Sequence, residues 1–138
     1  MHHKHILTSC NILNWWESTI IKRPQTPWEL VKTGNCGSPL ETPQGWLLLT
    51  HGVGPLREYV LGACLLDLNR PDKIIAVLPC PLLAPDADER EGYVPNVLYT
   101  CGGVIHNDQL IMPYAMSDAV TGFAITNVNE LISNMKPL

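Results

Sequence analysis

Gly45-Trp46-Leu47-Leu48-Leu49-Thr50-His51 is an apolar burst, and beyond Gly52-Val53-Gly54-Pro55 comes another, Tyr59-Val60-Leu61-Gly62-Ala63-Cys64-Leu65-Leu66-Asp67. Short apolar runs bounded by Gly, Pro and Asp read as buried strands joined by turns. The same grammar extends outward from this pair. Lys73–Leu78, Asn96–His106, Gln109–Tyr114 and Thr121–Thr126 read as further strands, with Ile6–Ser9 and Ser18–Ile21 as shorter ones. Asn107-Asp108 between two of them reads as a tight hairpin turn, since both residue types tolerate the left-handed backbone.

Twelve prolines weigh against long helices, because each removes a donor that a helix interior needs. One short helix is expected through Glu130-Leu131-Ile132, capped by Asn127 or Asn129, with Leu131 and Met135 on one face. It should close the chain against a sheet edge. The expected fold is therefore all-β, a single unit over residues 1–138 with a short C-terminal helix. Eight or so strands in a meander make about two propeller blades, whereas a closed ring needs at least about four. A small sandwich or part of a propeller both satisfy that count.

The 138 residues are 46% hydrophobic but only 16% charged, against a usual charged share of about 25%. Sparse charge implies apolar area meant for another part of the protein or for a partner. A net charge of −4, with Lys and Arg scattered, gives no basic field for nucleic acid. No run reaches the roughly 18 apolar residues of a membrane span, and the Met1-His2-His3-Lys4-His5 start has no apolar signal core. A cytoplasmic location is the expectation. Five cysteines (Cys10, Cys36, Cys64, Cys80, Cys101) include no CxxC pair and read as reduced, mostly buried thiols. His2, His3 and His5 read as part of a terminal tract rather than a metal site, and no metal or cofactor is expected.

Candidate chemistry concentrates between Lys32 and His51. Lys32-Thr33-Gly34-Asn35-Cys36-Gly37-Ser38-Pro39 sets a cation before a glycine-rich loop, and His51 ends the apolar run that follows. Glycines let backbone approach a ligand, Lys32 can act as a point charge on an anion, and His51 can donate to it. The alternative is that Gly34 and Gly37 serve turns, Lys32 is solvated and His51 ends a strand. Glu89-Arg90-Glu91 reads as a charge network ordering its loop, and Asp118 after Pro113-Tyr114-Ala115-Met116-Ser117 as a turn residue at a rim.

Several of these stretches together resemble the C-terminal part of glycoside hydrolase family 130. They are Trp28-Glu29 with Lys32-Thr33-Gly34, Gly45-Trp46-Leu47-Leu48 with His51-Gly52-Val53, and Tyr59 with Leu61-Gly62-Ala63. They continue through Leu65-Leu66-Asp67 with Pro71, Glu91-Gly92-Tyr93-Val94-Pro95-Asn96-Val97, Cys101-Gly102, and Tyr114 with Asp118. The likeness runs from about Trp15 to Met135. It implies a five-bladed β-propeller of which this chain supplies about two blades, with most of the first half absent.

The resemblance further implies a β-mannoside phosphorylase or mannosidase. Phosphate attacks with inversion to give α-mannose 1-phosphate, while an aspartate protonates the leaving oxygen by way of a sugar hydroxyl. Lys32 and His51 correspond to the lysine and histidine that bind phosphate, Tyr59 to an aromatic residue of that pocket, and Asp118 to an aspartate meeting sugar hydroxyls. Arg57, between His51 and Tyr59, is a further candidate contact by charge and position. Family hydrolases tend to lack the phosphate-binding cations, so Lys32 and His51 favour phosphorolysis. The proton donor and the arginines completing the phosphate site belong to the earlier half. No catalytic acid is therefore assigned here, and Asp67, Asp72, Asp86 and Asp88 are expected in structural turns. The expected partners are a β-mannoside and inorganic phosphate as co-substrate, together with self-association or a complementary chain that closes the ring. A noncatalytic mannoside-binding module and a truncated product without function are the alternatives.

Overall fold

The computed structural model describes residues 3–8, 13–15, 17–86 and 92–138. A hairpin, β1 (Lys4–Thr8) with β2 (Glu17–Lys22), comes first. Next is an antiparallel sheet of β3 (Lys32–Asn35), β4 (Leu40–Thr42), β5 (Gly45–Val53), β6 (Tyr59–Leu66) and β7 (Ile74–Val77). A further sheet holds β8 (Leu98–Tyr99), β9 (Val104–His106), β10 (Gln109–Met116) and β11 (Val120–Asn127). Helix α1 (Val128–Ser133) follows, and β12 (Lys136–Pro137) returns to pair with β7. Two blade-like meanders with a short C-terminal helix is the architecture expected from the turn grammar.

The two apolar bursts are the central strands of the larger sheet, paired from Trp46↔Leu66 to Val53↔Tyr59. Alternation along a strand sends successive side chains to opposite faces. Leu47, Leu49, Leu61, Ala63 and Leu65 therefore share one face, where they join Leu98, Leu110 and Met112 of the second sheet in the main core. Leu48, Cys64, Leu66 and Ile74 form a smaller cluster on the other face. Burial on both faces explains why these strands read as continuous apolar runs.

The helix begins where expected. Asn127 accepts the Glu130 backbone N–H with its side chain, so the cap is Asn127 rather than Asn129. Leu131 and Met135 are both buried in the main core. The Asn107-Asp108 hairpin turn is also present, with φ of 48° and 59°, the left-handed pair that matches strand twist.

Other expectations are corrected. The proposed single strand Asn96–His106 is two strands, β8 and β9, separated by a corner at Thr100–Gly103. The Thr100 hydroxyl bonds there to the Gly102 and Pro113 carbonyls, replacing ladder bonds that a straight strand would make. β3, β4 and β12 are strands where none was expected. The residues from Lys32 to Asn35 thus form a strand, not a loop. Cys36 and Cys64 are buried and Cys80 and Cys101 exposed, so the thiols are free but not mostly buried among the described residues. Cys10, Asp88 and the Glu89-Arg90-Glu91 network lie outside the described residues.

Beneath the smaller cluster's face, Trp28 lies across Gly52 and Gly62, where added methyl groups would sit 2.5 Å and 2.6 Å from its ring. Beside it Lys22 donates to both carboxylate oxygens of the buried Glu29, and Thr26 donates to Oε2 at 2.9 Å. The Lys22 amine also stands 5.9 Å from the Trp28 ring centroid. On the outer face of the second sheet, Phe123, Ile125 and Val104 are 71%, 65% and 56% exposed. That apolar area is what the sparse charge foretold.

Candidate functional site

β3 and β5 pair with Lys32 opposite Val53 and Gly34 opposite His51. Alternation puts all four on the face that carries the main core. His51 can lie across β3 only because residue 34 has no side chain. A methyl group there would fall 2.5 Å from His51 Cε1 and 2.8 Å from Nε2. Gly34 thus serves close packing and not a turn, whereas Gly37, at φ 74°, does occupy a turn.

The His51 ring is fixed on its other sides too. Tyr59, which pairs with Val53 at the start of β6, stacks on it at 6.2 Å between centroids and 24° between planes. Tyr99 of β8 tilts against it at 5.7 Å and 53°. Cys36 Sγ lies 3.5 Å from Nδ1. His51 is buried, and burial first, then the positive charges of Lys32 and Lys4, holds its pKa below the usual imidazole value. The ring is neutral at pH 7. Burial pushes the Cys36 thiol up to about 11, so it too is uncharged.

Lys32, His51 and Tyr59 are therefore brought together. Asp118 is exposed in the three-residue connection between β10 and β11, where Ser117 and Asp118 have φ of 50° and 52°. One segment ties this turn to Tyr59. Val94 N–H donates to Ser117 O (3.1 Å), Ser117 N–H to Val97 O (2.8 Å), and Tyr59 N–H to Asn96 O (2.9 Å). Arg57 is exposed in the connection between β5 and β6, where Gly54 N–H donates to Glu58 O and both Leu56 and Arg57 have positive φ. No contact from Arg57 to Lys32, His51 or Tyr59 is seen among the described residues. Asp67 accepts the Asn69 and Arg70 backbone N–H groups, and Asp72 pairs with Arg70, so both are turn residues as expected.

Sequence reading missed Cys36 and Tyr99. Cys36 carried a detectable signal, since it is four residues beyond Lys32 and so on the Lys32 face of a strand. Tyr99 carried none, because its approach to His51 depends on the corner at Thr100. Among the described residues no cluster of His, Cys, Asp and Glu is built to hold a metal ion, and no helix is long and apolar enough to cross a membrane.

These features define part of a propeller carrying a cation and a neutral imidazole on one face of a blade. The profile of glycoside hydrolase family 130, described as β-1,4-mannooligosaccharide phosphorylase, matches residues 4–137. The chain belongs to that family. It is 37% identical over 128 residues to a 1,2-β-oligomannan phosphorylase of Thermoanaerobacter sp. strain X514, covering 91% of this chain and 43% of that protein. It is 43% identical over 99 residues to a β-1,2-mannobiose phosphorylase of the same organism, covering 71% and 33%. The solved structure of the Listeria innocua β-1,2-mannobiose phosphorylase with β-1,2-mannobiose superposes at a TM-score of 0.85 and 29% identity, over 94% of this chain and 37% of that one. The chain thus spans less than half the length of these relatives, as a partial five-bladed propeller.

Proposed function

We propose that this chain supplies the phosphate-binding half of a β-mannoside phosphorylase site, with Lys32 as the point charge and His51 as a hydrogen-bond donor to inorganic phosphate. The observation that carries the reading is their juxtaposition. Lys32 and His51 share one face across the β3–β5 pair, and the ion pairs seen among the described residues use neither. A preorganised cation and donor hold an anion near the sugar and offset its charge. Tyr59 lines the pocket, Asp118 meets sugar hydroxyls from the rim, and Arg57 adds a contact from its exposed turn. The relatives named for β-1,2-linked mannosides support that linkage. Phosphate is the only co-substrate required, and the reaction belongs to the cytoplasm.

The product would be α-mannose 1-phosphate, formed with inversion, once a carboxylic acid from another part of the propeller protonates the leaving oxygen. The open face bearing Phe123, Ile125 and Val104 supports a further blade of the same fold, on another chain, as the element that closes against this sheet. The test is calorimetric titration of the chain with inorganic phosphate and with β-1,2-mannobiose, together with assay for mannose 1-phosphate. Phosphate binding that strengthens mannobiose binding is expected. Mannobiose binding indifferent to phosphate would overturn the reading in favour of a binding module.

A further inference from the structure

His51 has two ring nitrogens, and a neutral ring carries a proton on only one of them. Which one decides whether the ring can donate toward the Lys32 side. The Nε2–Cε1 edge lies over Gly34, one alternation along β3 from Lys32. The Nδ1 edge faces Cys36 Sγ at 3.5 Å.

Cys36 is fully buried, and its own backbone N–H is held by Leu49 O at 2.8 Å. The Thr100 backbone partly offsets the effect of burial on its thiol, which remains protonated. The thiol therefore carries a proton that can point at the ring, whose Nδ1 is 3.5 Å away. Imidazole nitrogen is a good acceptor and thioether or thiol sulfur a weak one, so S–H to Nδ1 is preferred over Nδ1–H to sulfur. Burial disfavours the thiolate and the imidazolium alike, which removes the ion-pair alternative. Tyr59 on one side and Tyr99 on the other prevent the ring from turning over.

We propose that Cys36 is a positioning residue whose thiol, by donating to His51 Nδ1, fixes the tautomer that presents Nε2–H to the site. Resting on the phosphate reading above, this makes Nε2–H the donor to a phosphate oxygen, beside the charge of Lys32. The role of Cys36 is carried through His51, and the thiol itself touches no substrate.

Long-range proton–nitrogen correlation spectra of the whole chain near pH 7 read the tautomer directly. The expected spectrum has an unprotonated Nδ1 and a protonated Nε2 in the native chain and in Cys36→Ser, which keeps a donor. In Cys36→Ala the two tautomers should mix, and affinity for inorganic phosphate should fall by about fivefold, the worth of one hydrogen bond. The serine variant should stay within about twofold of native, recovering what alanine loses. A proton on Nδ1 in the native chain overturns the proposal, and that measurement requires no variant to fold. An alanine variant with unchanged tautomer also overturns it. A native chain that shows the expected, Cys36-dependent tautomer but binds no phosphate supports the positioning role and refutes the phosphate reading.

Discussion

The two faces of the sheet built on β5 solve the same packing problem with opposite electrostatic results. Each accepts a flat ring over glycine, His51 over Gly34 on one side and Trp28 over Gly52 and Gly62 on the other. Beside Trp28, the cation Lys22 is largely covered, its side chain 9% exposed, and paired with a buried carboxylate. Beside His51, the cation Lys32 is exposed. A buried cation without a built-in counter-charge carries a heavy desolvation penalty. An exposed one can wait for an anion from solution. Burial and pairing, more than the residue type, separate the structural lysine from the one proposed to meet phosphate.

Breaking the closed face should have the largest effect. Glu29→Gln keeps the volume but strips Lys22 of its counter-charge, and it should destabilise the chain by about 3–5 kcal/mol in urea denaturation. Burial raises the pKa of the Glu29 carboxylate, but the hydrogen bond and charge of Lys22, with Thr26 and Lys4, together bring it below the ordinary value. Its folded pKa is depressed, so the stability it contributes is present above the unfolded carboxylate pKa. That contribution is lost as pH falls through the lower folded value. The variant should show no such acid loss.

Lys4 sharpens the comparison from within the closed face. Its amine is buried without a hydrogen-bond partner among the described residues, and burial lowers its pKa to about 8. The unfolded chain binds that proton more tightly, so folding carries its full penalty below pH 8. The penalty is relieved as pH rises from about 8 to 10.5. Lys4→Met should therefore stabilise the chain at pH 7 by something on the order of 3 kcal/mol. Thermal melts should show this advantage shrinking to nothing above about pH 10.5. A destabilising Lys4→Met at pH 7 would mean that the amine has a partner after all.

How much of this was legible in the sequence differs between the two faces. Alternation and turn residues located β5, β6, β10, β11 and a helix cap at Asn127 or Asn129, because each is a local consequence of spacing. The role of Gly34 was not legible, since a glycine before a turn and a glycine under a ring look alike until strand pairing is known. The Asn96–His106 run misled for a related reason. Its corner is made by the Thr100 hydroxyl reaching Pro113 O, a contact thirteen residues distant in sequence. Lys32 and His51 were candidates by residue type and spacing and took a phosphate role only from family resemblance, and what register added is their common face. Lys4 and Glu29 drew no notice as a buried cluster, because nothing in a linear pattern reveals which charged side chains will be covered.

Methyl groups at the two ring-bearing glycines distinguish the faces with smaller perturbations. Gly52→Ala should cost about 1–3 kcal/mol, near the upper end, because its methyl meets the Trp28 carbonyl as well as the ring. Gly34→Ala meets only the His51 ring, which can shift, and should cost near the lower end of that range while weakening phosphate binding. Tryptophan fluorescence should change for Gly52→Ala and not for Gly34→Ala, if the faces are independent. A common response would show that they are coupled through β5.

The smallest expected change in stability is at the open cation. Lys32→Ala removes an exposed side chain, so denaturation should move by no more than about 0.5 kcal/mol. Its effect should appear instead in phosphate affinity, lower by about tenfold for the loss of one charge-assisted contact. It should also appear in the titration of His51. Burial is the first cause of that residue's lowered pKa and Lys32 the next, so the alanine variant should titrate at a higher pH while remaining below an exposed imidazole. Because the folded pKa is depressed, the neutral ring contributes stability that is complete above about 6.5 and lost as pH falls through the folded value. Removing Lys32 narrows that window from below. If the His51 midpoint stays fixed in Lys32→Ala while phosphate affinity drops, the lysine acts on the anion alone and the two groups bind it as independent contacts, not as a coupled pair.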